Sequence, residues 1–90
     1  MQTAKIHIKG SVQGVAFRTF AKRNAEALEL KGYVKNLDDG SVEIYVEGPK
    51  TLIEQFVETV SEGPSGAKVS KVDVDWSFSN GTFRDFKIVY

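Results

Sequence analysis

Residues 4–28 read AKIHIKGSVQGVAFRTFAKRNAEAL, and the spacing of apolar residues changes within this stretch. Ala4, Ile6 and Ile8 alternate with charged or polar residues, a period typical of a half-buried strand. From Phe17 onward the apolar residues recur on one helical face, at positions 17, 20, 21, 25 and 28. The stretch therefore predicts a strand, a loop with two glycines and a helix, in that order.

Similar patterns continue along the rest of the chain. We expect the first helix to stop at Gly32, strands over 33–37 and 42–46, a second helix from Gly48-Pro49 to Gly63-Pro64, and strands over 72–76 and 83–90. Trp76 has the spacing of a core residue. The order β-α-β-β-α-β, with strands that are apolar on one side, predicts an α+β fold of the ferredoxin-like kind, with two helices on one face of an antiparallel sheet. Its expected strand order is 4-1-3-2, and the pattern does not place the fifth strand.

Composition limits the function classes. Ninety residues predict a single domain over 1–90. The absence of cysteine excludes disulfides, thiolate metal sites and cysteine nucleophiles, and one histidine cannot build a multi-histidine metal site. The net charge is zero, but residues 1–35 hold seven Lys or Arg and two Glu. We therefore predict a cytoplasmic monomer with no nucleic-acid or membrane partner, in which the basic half could bind a small anion.

The loop between the first strand and helix is the first candidate site. Gly10 and Gly14 allow unusual backbone angles, so successive N–H groups could form an anion-binding nest. The helix that follows has no clear N-cap residue, and its first turns carry Arg18, Lys22 and Arg23, the wrong sign for the positive end of a helix dipole. An external anion would correct this start. A loop with a water-capped helix is the alternative reading.

Asn36 is the second candidate. If Val34 faces the helices, Asn36 faces the same side and places an amide at the edge of an apolar layer. In the predicted topology the carboxyl ends of strands 1 and 2 lie at one sheet edge, two strand spacings or about 10 Å apart. Phosphate, water and two side chains could fill that gap. A simple turn residue before Asp38-Asp39-Gly40 is the alternative.

Other polar residues are weaker candidates for chemistry. His7 lies between two lysines on the polar face of the first strand, which favours a solvated histidine over a catalytic one. Asp73 and Asp75 share one face of a strand, but no third ligand is placed to complete a magnesium site. We therefore predict no metal site.

Two longer motifs carry a family resemblance. Residues 8–18, IKGSVQGVAFR, contain G-x-V-Q-G-V-x-F-R, and residues 32–36, GYVKN, are followed at the expected offsets by Gly40, Val42 and Gly48. These segments match both signatures of the acylphosphatases, and the chain resembles that family over nearly its whole length. The resemblance implies a ferredoxin-like fold and hydrolysis of acyl phosphates to carboxylate and phosphate by an oriented water, without cofactor or metal.

The resemblance also implies roles for particular residues. By position, Arg18 would bind phosphate and Asn36 would orient the water. The backbone cradle would be formed by Ser11, Val12, Gln13, Gly14, Val15, Ala16 and Phe17, together with Arg18. Ala16 stands where glycine is frequent, and Ser11 stands where many relatives have arginine, which should weaken the local positive potential but not the chemistry.

Three alternatives to a small stand-alone enzyme remain. The same domain begins a large carbamoyl-transferring maturation protein of hydrogenases, but this sequence ends at Tyr90, so we expect no further domain. A non-catalytic ferredoxin-like module for small-ligand binding or regulation would not need Arg18 and Asn36 together. An RNA-binding module would need exposed aromatic residues on central strands, where Lys5, His7 and Glu43 stand instead.

Overall fold

The computed structural model describes residues 1–14 and 16–90. In these residues the chain forms, in order, β1 (Gln2–Ser11), α1 (Phe17–Ala27), β2 (Lys31–Asn36), β3 (Val42–Gly48), α2 (Lys50–Glu62), β4 (Lys68–Phe78) and β5 (Phe86–Val89). The predicted β-α-β-β-α-β order is confirmed, and β5 follows it as a short final strand.

The five described strands form one sheet in the order β4-β1-β3-β2-β5. The predicted order 4-1-3-2 is confirmed, with antiparallel pairing of β1 to β3, β1 to β4 and β2 to β3. The fifth strand, which the sequence pattern did not place, pairs with β2 in parallel, so the complete sheet is mixed. The reason is geometric: β4 runs opposite to β1, and β2 runs with β1. A chain that reverses direction after β4 and crosses to the far edge must run parallel to β2.

The core lies between the sheet and the two helices. Alternation along β1 buries Ala4, Ile6 and Ile8 completely, and the strand register places Ile6 opposite Ile44 of β3 and Val74 of β4. On α1 the predicted apolar face is confirmed, with its innermost residues Phe17, Ala21 and Ala25 buried. The remaining buried apolar residues among those described are Val12, Leu30, Val34, Val42, Ile44, Val46, Ile53, Phe56, Val60 and Phe86.

Gly32 does not stop the first helix. The helix ends at Ala27, and Gly32 lies inside β2 with a φ of 144°. A Cβ atom at this position would lie 1.8 Å from the backbone carbonyl oxygen of Tyr45 on β3. The residue is therefore required by the close approach of two strand backbones, a contact that the sequence pattern does not reveal.

Trp76 does not belong to the core, contrary to the expectation from its spacing. Its side chain is 41% exposed, and Phe78 two residues later is 77% exposed. Both residues lie near the end of β4, which is an edge strand of the sheet. The Nζ atom of Lys50 lies 5.7 Å from the centre of the Trp76 ring and covers part of it.

Among the described helices, neither is long and apolar enough to cross a membrane.

Candidate active site

The loop that leaves β1 enters α1 through an uncapped helix start. Gly14 has a φ of 79°, and Ala16 at the N-cap position has a left-handed backbone with a φ of 58°. No side chain in the described part of the chain caps α1, and its first turn has no acidic residue. Because the first N–H groups of an α-helix have no intrahelical acceptor, this end of α1 can donate hydrogen bonds to an anion.

Arg18 lies in the first turn of α1 and is half-buried. Its Nη1 atom makes a long hydrogen bond, 3.4 Å, to the carbonyl oxygen of Val89. The central carbon of its guanidinium group lies 4.6 Å from the centre of the Tyr90 ring. The cation is therefore held beside Val89, the last residue of β5, and Tyr90, which follows it. Its charge adds to the positive potential of the helix start.

Asn36 is the last residue of β2. Val34, two residues earlier and on the same side of the strand, is fully buried against the helices, as expected. The Oδ1 atom of Asn36 is buried and accepts no hydrogen bond from any described residue. A buried carbonyl oxygen without a donor costs about 1–3 kcal/mol, so this atom marks a position where a ligand or water can donate.

The loop, Arg18 and Asn36 meet around one pocket with a volume of about 120 Å³. Its lining consists of Val12, Gln13, Gly14, Ala16, Phe17, Arg18, Thr19, Asn36, Ile88 and Tyr90. Among these described residues Arg18 is the one cationic side chain, and none is Asp or Glu. A small space with a helix start, a guanidinium group and no acidic side chain suits a phosphate group.

One described residue of the expected cradle stands apart from this lining. Ser11 is the last residue of β1, where it pairs with Lys68 of β4, and it does not line the pocket. Val15 lies outside the described residues. Val12 and Phe17 contribute their backbone to the loop while their side chains are buried in the core.

The side chain of Gln13 was missed by the sequence reasoning, which used only its backbone. Its Nε2 atom donates to the carbonyl oxygens of Leu37 and Ser41, at 2.8 and 2.9 Å. These two acceptors flank the turn between β2 and β3, immediately after Asn36. The bonds therefore tie the candidate cradle to the strand end that holds Asn36. A glutamine in a loop between Gly10 and Gly14 gave no signal that its side-chain partners lie at the β2–β3 turn.

His7 is more constrained than expected. It is half-buried, and its Nε2 atom lies 2.7 Å from the hydroxyl of buried Ser41, so it is not a freely solvated side chain. Ser41 in turn donates from its hydroxyl and its N–H to the carboxylate of Asp39, and these hydrogen bonds lower the pKa of Asp39. The chain of contacts braces the β2–β3 turn, and His7 and Asp39 do not line the pocket.

Metal-binding side chains are scattered in the described structure. Within residues 1–14 and 16–90, no three His, Asp or Glu side chains are grouped closely enough to hold a metal ion. Asp73 and Asp75 lie exposed on β4, and Asp73 makes an ion pair with Lys71 at 3.9 Å.

Comparison with known proteins relates this geometry to one family. A family model described as Acylphosphatase matches residues 4–88. The acylphosphatase of Salinibacter ruber is 47% identical over 81 residues, covering 90% of this chain and 85% of that protein. The acylphosphatase of Thermotoga maritima is 44% identical over 90 residues, covering 100% of this chain and 99% of that protein.

A solved structure agrees with the sequence relatives. The crystal structure of acylphosphatase from Bacillus subtilis superposes on this chain with a TM-score of 0.97 and 43% identity, and the match covers 100% of both chains. The chain belongs to the acylphosphatase family.

Proposed function

We propose that this chain hydrolyses the carboxyl–phosphate bond of acyl phosphates in the pocket at the start of α1. The observation that carries the proposal is the convergence of an uncapped helix start, Arg18 and the unpartnered Oδ1 of Asn36 on one small space. Membership of the acylphosphatase family supports the same activity and does not favour a non-catalytic binding or regulatory module.

Phosphate binding is assigned to the loop backbone and Arg18. N–H groups at a helix start point at the ligand, and the helix dipole favours its negative charge. The planar guanidinium group can donate two parallel hydrogen bonds to two phosphate oxygens. Because phosphoryl transfer proceeds through a loose transition state, in which charge spreads over these oxygens, positioning and charge stabilisation supply most of the catalysis.

Asn36 is assigned to the attacking water. A water that donates one hydrogen to the buried Oδ1 satisfies this acceptor and directs a lone pair towards phosphorus. The water oxygen forms a bond to phosphorus while the bond from phosphorus to the acyl oxygen breaks, and the carboxylate leaves with the electron pair. An amide cannot take a proton at neutral pH, so the transferred phosphate accepts the proton that the water loses.

The reaction is proposed to need no metal, since the helix start and Arg18 provide the charge that a divalent cation would supply. Activity should survive exhaustive dialysis against EDTA. Loss of turnover on chelation, with recovery on adding Mg²⁺, would contradict this part of the proposal.

The experiment compares kcat for a synthetic acyl phosphate with the inhibition constant of inorganic phosphate. Arg18→Ala should weaken phosphate inhibition and lower kcat by roughly 10²–10³, as for the loss of an oxyanion donor. Asn36→Ala should lower kcat and leave phosphate affinity nearly unchanged, because the amide contacts the nucleophile. Asn36→Asp should lower kcat further, since its carboxylate would repel phosphate. Arg23→Ala, exposed on the same helix, is the matched control.

Either of two results would contradict these assignments. Near-normal kcat in Asn36→Ala would make Asn36 a turn residue only. If Arg18→Ala behaves like Arg23→Ala, the guanidinium group of Arg18 does not bind phosphate at this site.

The expectation of a monomer that acts as one cytoplasmic domain and binds no nucleic acid stays a prediction from sequence. Sedimentation analysis of the purified protein would test its oligomeric state.

A further inference from the structure

Tyr90 is a highly exposed residue that nonetheless lines the pocket. Its side chain is 95% exposed, and its ring lies 4.6 Å from the guanidinium carbon of Arg18. The preceding residue, Val89, contributes the carbonyl oxygen that accepts the hydrogen bond from Arg18. Parallel pairing of Val89 with Lys35 on β2 anchors this segment to the strand that ends in Asn36. The backbone of Val89 and the ring of Tyr90 therefore reach Arg18 from two consecutive residues.

The two contacts to the guanidinium group differ in kind. An aromatic ring attracts the planar face of the cation, whereas the five N–H donors project from its edges. One of those donors reaches Val89, and the contact is long at 3.4 Å. The ring, whose centre lies 4.6 Å from the guanidinium carbon, limits rotation of the Arg18 side chain without taking a hydrogen bond from the donors that phosphate would need.

We propose that Tyr90 is a positioning residue that holds the guanidinium group of Arg18 in its phosphate-binding orientation. The inference rests on the proposed role of Arg18. Without the ring, phosphate itself must order the Arg18 side chain. The entropy cost of this ordering would weaken phosphate binding and transition-state stabilisation together. Because the ring acts through its π-face and its hydroxyl makes no hydrogen bond within the described residues, phenylalanine should substitute for tyrosine.

The test measures kcat, KM for an acyl phosphate and the phosphate inhibition constant in three variants. Tyr90→Ala and Tyr90→Leu should each weaken phosphate binding about two- to fivefold, the range of an exposed cation–π contact, and lower kcat at least as much. Tyr90→Phe should restore most of the loss. Phe78→Ala, which removes another exposed aromatic ring far from the pocket, is the control and should match the parent enzyme.

A double-variant cycle separates this inference from the function on which it rests. In an Arg18→Ala background, Tyr90→Ala should have no further effect on phosphate inhibition. An equal effect in both backgrounds, or a loss confined to KM for the acyl phosphate, would overturn the positioning role, the latter because the ring would then contact the acyl group. If Arg18→Ala impairs the enzyme and Tyr90→Ala does not, only this inference fails. If Arg18→Ala has no effect, the proposed function fails with it.

Discussion

Replacing Gln13 with alanine should loosen the loop that forms the proposed phosphate cradle. In the structure, the Gln13 side chain donates two hydrogen bonds of normal length to backbone carbonyls on either side of the β2–β3 turn. A neutral hydrogen bond contributes about 1 kcal/mol net, so the pair should contribute about 2 kcal/mol to the phosphate-bound state.

That 2 kcal/mol divides between folding and binding. If the loop of the variant stays ordered without ligand, the whole loss appears in the free energy of unfolding, and the melting temperature falls by roughly 8–16 °C for a domain of this size. If the loop becomes disordered, phosphate must order it, and phosphate affinity falls by up to about 30-fold. In both cases the unfolding free energy measured at saturating phosphate should be lower in the variant than in the parent protein by about 2 kcal/mol.

The assay is urea unfolding with and without saturating phosphate, together with the phosphate inhibition constant for acyl phosphate hydrolysis. Gln55→Ala is the matched control, because Gln55 lies exposed on α2. Gln13→Glu should be worse than Gln13→Ala, since a carboxylate would face two carbonyl oxygens. If Gln13→Ala behaves like Gln55→Ala in phosphate affinity and in unfolding with phosphate present, the two hydrogen bonds do not organise the cradle.

Three further expectations concern stability. Burial raises the pKa of Glu47, but hydrogen bonds from the N–H groups of Phe83 and Thr82 outweigh it and hold the pKa below the usual range. Its stabilising contribution is therefore present above the ordinary glutamate pKa and lost as pH falls through the lower folded pKa. Glu47→Gln should therefore flatten the pH dependence of the urea-unfolding free energy below the ordinary glutamate pKa. Gly32→Ala should cost about 1–3 kcal/mol or more, because its Cβ would lie 1.8 Å from a backbone carbonyl oxygen. Gly40→Ala, with no atom within 4 Å of its Cβ, should cost less. Phosphate at 100 times its dissociation constant should raise the unfolding free energy by about 2.7 kcal/mol, and chemical-shift changes that spare the α1 start would contradict the proposed cradle.

Periodicity along the chain was sufficient to predict most of the fold. Apolar residues alternate with a period of two in β1, and the period becomes helical at Phe17. Both periods reflect the side of the element that each residue faces, which is a local property of the backbone. The strand order follows because one-sided strands and one-sided helices have few ways to bury their apolar faces together. Gly32 was misread, because a glycine before a strand looks the same whether it ends a helix or accommodates a neighbouring backbone.

The candidate site divides in the same way. Its two motifs pointed to Arg18 and Asn36 because the loop and the strand end carry those residues within short, recognisable segments. The first partner of Arg18, Val89, stands 71 residues further along the chain, at the end of a strand whose place beside β2 no periodicity reveals, and Tyr90 follows it directly. A pattern of apolar residues indicates which side of an element faces the core. It does not indicate which neighbouring strand or segment packs against that element, because this depends on the order of the strands in the sheet. Only the tertiary structure therefore placed Tyr90 against Arg18 and the Gln13 amide across the β2–β3 turn.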